Sequence, residues 1–246
     1  MPHEFELPFE VTLPATPDQV WDAVASGPGI DSWFMGRNDV EPRESGVARM
    51  TAGGQAEDAV VTAYEPGRRF ATRTARRADG RFMAFEYLVE GRGQGSTVLR
   101  VVHSGMLGDD WADEYDALRR GWPLHLDTLR EYLEHFAGRT GVPVFGAVPA
   151  PERTADELRA AVVRALDLDG DAPVGSRARA TPDGVPALDG EVTWSDADRV
   201  KVRTADGLYA FFVADGLALM FHHLFVPASP DAADAAWQQW LTAALA

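Results

Sequence analysis

The sequence predicts an α+β fold in which a curved antiparallel sheet wraps one long amphipathic helix, set out twice in tandem with the second copy reduced. Three observations carry this reading. Residues 46–104 break into short alternating runs separated by turn residues, residues 111–136 hold one apolar stripe at helical spacing, and residues 192–211 echo residues 61–85. A chain of 246 residues is long enough for two modest cores.

The first run, residues 4–13, alternates Phe5, Leu7, Phe9, Val11 and Leu13 with Glu4, Glu6, Glu10 and Thr12, the pattern of a half-buried strand. Thr16-Pro17-Asp18-Gln19 then opens a helix: Thr16 caps, Pro17 takes the first position and Gln19 reaches back. That helix is expected to stop at the breaker Gly27-Pro28-Gly29, with a second short helix over 30–34 presenting Trp33 and Phe34. Strands are expected at 46–51, 58–64, 69–76, 81–90 and 96–104, divided by Gly53-Gly54, Glu65-Pro66-Gly67, Asp79-Gly80 and the turn 91–95. Asp-Gly between alternating runs marks a tight hairpin, because that turn needs positive φ. Connections this short make consecutive strands pair as a meander.

Residues 111–136 follow as the helix that the meander encloses. At about 3.6 residues per turn, Leu118, Trp122, His125, Leu126, Leu129, Leu133 and Phe136 fall on one face. Pro123, beside Gly121, is expected to kink the helix or start it afresh. Residues 139–153 are rich in Gly and Pro and read as a linker between a first domain, 1–138, and a second, 154–246. The second domain opens with a capping box, Thr154 and Glu157, on an Ala-rich helix to about residue 166. Strands follow at 174–181, 191–195, 199–204, 208–214 and 217–225, then a last helix from Ser229-Pro230 carrying Trp237 and Trp240. VTWSDADRVKVRT, from Val192, echoes VTAYEPGRRFATRT, from Val61, with one residue deleted, but the second copy lacks an obvious first strand.

A net charge of −15 argues against nucleic acid and anionic membranes as partners. The one basic cluster, Arg68, Arg69, Arg73, Arg76, Arg77 and Arg81, reads as a solvated face balancing local acid. With no cysteine there is no disulfide, thiolate metal site or thiol nucleophile. The first ten residues lack a basic segment followed by an apolar one, and no later apolar run approaches about 18 residues, so a cytoplasmic location without membrane insertion is expected. No metal or cofactor motif is present: His222-His223 are adjacent on a strand and point to opposite faces, and the glycine pairs lack the following helix that phosphate binding needs.

The runs ATPDQVWDAVASGPGIDSWF, VVTAYEPGRRFATRT, STVLRVVHSGM and YDALRRGWPLHLDTLREYL, in that order and spacing, resemble the START-like, SRPBCC superfamily. Within it the match is to the branch of homologues of the activator of the heat-shock-protein-ninety ATPase, over about residues 4–136. The resemblance implies a helix-grip fold and a cavity between sheet and helix. Members of the superfamily bind lipids, sterols, polyketides or hormones there, and some are cyclases or dehydratases. The chaperone-stimulating activity of the name-giving members does not come with the resemblance.

The expected function is binding of a small apolar or amphipathic molecule. The alternatives are a cyclase- or dehydratase-like enzyme using the same cavity, and a cochaperone-like interaction module with a protein partner or a second copy. Candidate cavity residues are Trp33, Phe34, Phe70, Phe85, Tyr87, Leu99, Val101, His103, Trp122, His125, Leu126 and Leu129. His125, inside the apolar stripe, is either a cavity group meeting a carbonyl or hydroxyl or a core histidine, and His103 stands in the same position at a strand end. Tyr87 paired with either histidine is the minimum for acid–base chemistry. Glu86 is solvated if Met83, Phe85 and Tyr87 face inward, and a buried general base if they do not.

Overall fold

The computed structural model describes residues 3–92, 95–109 and 111–246, so Gly93 and Gln94 of the expected turn 91–95 lie outside the described residues. The chain divides into two compact units, Met1–Thr140 and Gly141–Ala246.

In the first unit β1 (His3–Leu13) leads to α1 (Pro17–Ala25) and α2 (Gly27–Ile30). Six strands follow, β2 (Arg37–Val40), β3 (Val47–Ala52), β4 (Gln55–Glu65), β5 (Arg69–Thr74), β6 (Phe82–Arg92) and β7 (Ser96–Leu107), and α3 (Trp111–His135) closes the unit. The sheet order is β1-β7-β6-β5-β4-β3-β2 and all pairings are antiparallel, so the first strand joins the last. α3 packs on β1, β7 and α1. Its stripe supplies Trp122, Leu126, Leu129, Leu133 and Phe136 to the buried core, and this is the helix-grip arrangement.

Local chemistry accounts for most of these elements. The Thr16 side chain accepts from the Gln19 N–H, and the Gln19 side chain accepts in return from the Thr16 N–H at 2.9 Å. Gly80 takes φ 88° in the β5–β6 turn, as its Asp-Gly pair requires.

Three expectations need correction in this unit. Gly27-Pro28-Gly29 is the first turn of α2 rather than a breaker, and the helix spans Gly27–Ile30 rather than 30–34. Ser26 caps it by accepting from the Gly29 N–H, Pro28 occupies a first-turn position where no N–H is needed, and side chains at Gly27 or Gly29 would strike the backbone of Asn38 or Asp22. β2 has no counterpart in the sequence reading, because RNDV carries no alternation. α3 runs through Pro123 as a single element, so the helix is not started afresh there. The carbonyl that loses its partner there belongs to Arg119, on the exposed side of the helix.

The second unit runs β8 (Val142–Pro149), α4 (Ala155–Ala165), β9 (Arg177–Ala180), β10 (Leu188–Ser195), β11 (Arg199–Arg203), β12 (Gly207–Ala214), β13 (Leu217–Leu224) and α5 (Pro230–Ala244), with sheet order β8-β13-β12-β11-β10-β9. Much of the segment expected as linker is therefore β8, the first strand that the second copy was expected to lack. Two prolines and a glycine hide its pattern, and they are tolerated because β8 is an edge strand. Its outer edge is satisfied by α5: the Phe145 N–H donates to Asp234 Oδ1 at 3.0 Å, and Ala147 exchanges two bonds of 2.9 Å with the Gln238 amide.

The two units share their topology. Each starts with a strand that pairs with the last strand of its own sheet, continues into a capped helix, and ends in a tryptophan-bearing helix. The echo in sequence has a structural mark as well: the register shifts between Val61 and Ala63 in one β-hairpin and between Val192 and Trp194 in the other. A bulge at the same aligned position is a device, not noise. The second unit has one strand fewer.

Candidate ligand cavity

Strand alternation aims Met83, Phe85 and Tyr87 of β6 at the concave side, and cross-strand pairing sets Phe85 beside His103 of β7. Opposite them α3 presents Ala117, Leu118, Gly121, Trp122 and His125. Ala117 and Gly121 are four residues apart on one face, and side chains that small leave a notch in the helix surface. The result is a cavity of about 220 Å³, also bordered by Phe34, Met35, Met50 and Glu57. A smaller lobe of about 80 Å³ lies beyond Phe34 and Phe85, with Phe70, Tyr87, Thr72 and Asn38 in its wall.

Of the residues singled out in the sequence, Phe34, Phe85, His103, Trp122 and His125 line the larger lobe. Phe70 and Tyr87 line the smaller one. Trp33, Leu99, Val101, Leu126 and Leu129 are buried among the core residues and border neither lobe. Trp33 instead locks α1 to the following loop through its Nε1–H, which donates to the Ala23 carbonyl at 2.9 Å. Sequence reasoning missed Met35, Met50, Glu57, Met83, Ala117, Leu118 and Gly121 as lining residues. The Ala117/Gly121 spacing was the available signal.

Trp122 is the hub of the larger lobe. Its ring centroid lies 5.7 Å from Phe34, 6.2 Å from Phe85, 5.9 Å from His103 and 6.5 Å from His125. Its Nε1–H donates to His103 Nδ1 at 3.0 Å. His103 is 3% exposed and stacks on Phe85 at 4.2 Å, and burial pulls its pKa down to about 4, so the ring is neutral at physiological pH. Its Nε2 is buried and has no hydrogen-bond partner. His125 packs against Phe34 at 4.7 Å. Tyr87 stacks on Phe70 in the other lobe, where burial pushes its phenol pKa up, and is not brought together with either histidine.

The charged candidates lie outside this chemistry. Glu86 points away from the cavity and accepts from Arg69 Nε at 2.6 Å, so it is not a buried base. In the arginine cluster, Arg68 and Arg69 pair with Glu65, Arg77 with Glu57 and Arg81 with Asp79, while Arg73 and Arg76 lie over the Phe82 ring. Glu57, which borders the larger lobe, is thus paired with Arg77. Among the described residues no group of three or more His, Asp or Glu is arranged to hold a metal, and no helix is long and apolar enough to cross a membrane.

Asp31 and Asn38 are bonded across the loop that carries Phe34. Asp31 Oδ1 accepts from the Asn38 N–H at 2.7 Å and from Asn38 Nδ2 at 3.1 Å, yet burial dominates and raises its pKa from 3.8 to about 6. A carboxyl whose folded pKa is raised favours the folded state while protonated, and that contribution is lost as pH rises from about 4 to about 6. Asp31→Asn keeps an acceptor without the charge. Its unfolding free energy relative to wild type should therefore climb by roughly 1–2 kcal/mol across that window, allowing for the part of the carboxyl that faces solvent, and level off above it. Urea titrations at several pH values read this difference, and a flat difference contradicts it.

The second unit repeats part of the constellation. His222 on β13 pairs with Tyr209 as His103 pairs with Phe85, and Trp237 of α5 sits 4.6 Å from the His222 ring. His223 points to the opposite face of the strand. Tyr209, Phe211 and Trp237 pack around the His222 ring.

No curated protein matches the chain. Among solved structures it is similar to protein MLL2253 from Mesorhizobium loti, at 22% identity over 54% of this chain and 98% of that one, with a TM-score of 0.47. It is also similar to the di-domain ARO/CYC BexL from the BE-7585A biosynthetic pathway, at 16% identity over 98% of this chain and 97% of that one, TM-score 0.48. The Aha1 dimer from Colwellia psychrerythraea is similar at 18% identity over 53% of this chain and 96% of that one, TM-score 0.44. Residues 14–134, nearly all of the first unit, match the family model described as activator of Hsp90 ATPase homolog 1-like protein.

Proposed function

We propose that the first unit holds a small apolar or amphipathic molecule in the cavity between its sheet and α3. The observation that carries this reading is a half-open pocket of about 220 Å³ walled largely by Phe34, Phe85, Trp122, Met50 and Met83. Cavities of roughly 150 Å³ lined by apolar side chains stay dry and bind benzene, so this one has room for a second fused ring. The second unit keeps the topology and packs Tyr209, Phe211 and Trp237 around His222, which supports a packing role for that histidine. An enzymatic reading asks for two convergent titratable groups; Tyr87 and His103 border different lobes, whereas His103 and His125 share the larger one, so a hydrolytic or cyclising role would rest on that pair.

Native mass spectrometry of the protein purified without detergent tests the proposal. The expected result is an additional small mass that leaves on denaturation. A clean polypeptide mass, together with a crystal structure in which side chains fill the void, contradicts it.

A further inference from the structure

We infer that Phe34 sets the length of the molecule this cavity accepts. Its ring is a fixed partition between the two lobes, and the ligand is a compact apolar molecule of one or two fused rings that fills the larger lobe alone. The inference rests on the reading of the cavity as a ligand site and adds to it the shape that the site selects. Phe34, Met50, Glu57 and Phe85 border both lobes, so the divide between them is built from these four side chains. Met50 and Glu57 face each other across β3 and β4. Met50 is unbranched and adaptable, and Glu57 pairs with Arg77 at 2.7 Å, so neither makes a firm wall. The two rings do. Phe85 stands on β6 and stacks on His103 at 4.2 Å, and Phe34 meets it edge to face from the segment after α2, with centroids 6.3 Å apart.

Phe34 is held through its backbone and through its ring. Its N–H donates to the Ile30 carbonyl at 2.8 Å, and Asn38 Nδ2 donates to the Met35 and Gly36 carbonyls at 3.3 and 3.2 Å, which ties down the chain on either side. Gly36, at φ 73°, lets that backbone lie against β3, where an added Cβ would sit 2.9 Å from the Thr51 carbonyl oxygen. The Phe34 ring centroid lies 5.3 Å from Trp33, 5.7 Å from Trp122 and 4.7 Å from His125. A side chain packed among rings in this way keeps one rotamer. Thr72 and Phe70 lie behind the partition, in the smaller lobe only. A ligand that overfills the larger lobe therefore gains nothing from the smaller one, and its surplus length stays in solvent.

A homologous series tests this on the full chain: linear alkylbenzenes from ethylbenzene to hexylbenzene, with tetralin as the reference for the larger lobe. Dissociation constants are measured for the wild type and for Phe34→Ala, which opens the partition. Each buried methylene strengthens binding about fourfold. In the wild type that gain is expected to stop before hexylbenzene, and in Phe34→Ala to continue for about two methylenes more. The preference for hexylbenzene over ethylbenzene should then be at least about tenfold greater in Phe34→Ala. The intrinsic hydrophobicity of the two probes is common to both proteins and cancels. An equal preference in the two proteins, with the series bound, overturns the partition and leaves the ligand site standing. Failure of tetralin and of the whole series to bind the wild type removes the ligand site and this inference with it. Should Phe34→Ala not fold, NMR of the wild type decides the question. Hexylbenzene is expected to shift the methyl resonances of Leu118, in the larger lobe, and to leave the Thr72 methyl unmoved. A Thr72 shift that saturates together with that of Leu118 shows the chain passing Phe34 and overturns the inference.

Discussion

Trp122→Ala is expected to lower the unfolding free energy of the first unit by about 3–5 kcal/mol, the range for deleting a large aromatic side chain from a packed site. The residue is 3% exposed and is the ring that Phe9, Phe34, Phe85, His103 and His125 all meet. It joins α3 to β7 through a hydrogen bond that spans the cavity wall, so its removal opens an already incomplete core and leaves His103 Nδ1 without its donor. Trp122→Phe separates the two contributions. It keeps most of the apolar contact and loses only the bond, at an expected cost of about 1–3 kcal/mol. Amide exchange along α3 and β7 reads both variants without interference from the second unit. A loss below about 1 kcal/mol for Trp122→Ala contradicts the role of Trp122 as the hub, since surface substitutions fall within that range.

Gly121→Leu is expected to exclude ligand while leaving the fold intact or firmer. Gly121 is inside α3 and lines the cavity, and a Cβ built on it meets nothing within 4 Å. The new side chain enters the void instead of striking a wall. Replacing an interior helical glycine by a better helix former contributes up to about 1 kcal/mol, and filling empty apolar space adds to that. The expected result is a thermal midpoint at or above that of wild type, with affinity for tetralin reduced at least tenfold. Retention of wild-type affinity shows that ligand does not enter beside Gly121. A large fall in stability shows that the space was not empty.

The parts of the fold that were legible in the sequence are those dictated by local chemistry. The Thr16–Gln19 and Thr154–Glu157 capping boxes, the Asp79-Gly80 turn and the apolar stripe of α3 each follow from a few neighbouring residues. The parts that were not legible depend on partners distant in the chain. β8 looks like a linker until α5 and β13 supply its hydrogen bonds, and Gly27 and Gly29 read as breakers until the close approach of the Asn38 and Asp22 backbones explains them.

The cavity follows the same division. Phe34, Phe85 and Trp122 were visible as aromatics on inward faces, but the room between them comes from two small side chains, Ala117 and Gly121, which no hydrophobic pattern records. His125 drew attention because it interrupts an apolar stripe. His103 carries the sharper chemistry, because an indole 19 positions later in the chain settles which of its nitrogens holds the proton.

The central claim, that the first unit encloses an apolar ligand site, is tested most directly by titrating the full chain with tetralin and following backbone, indole and imidazole resonances. The account predicts saturable shifts at Phe34, Phe85, His103, Trp122 and His125, with the second unit unmoved. No saturable shift up to the solubility limit of the probe, or shifts scattered over exposed residues of both units, would contradict it.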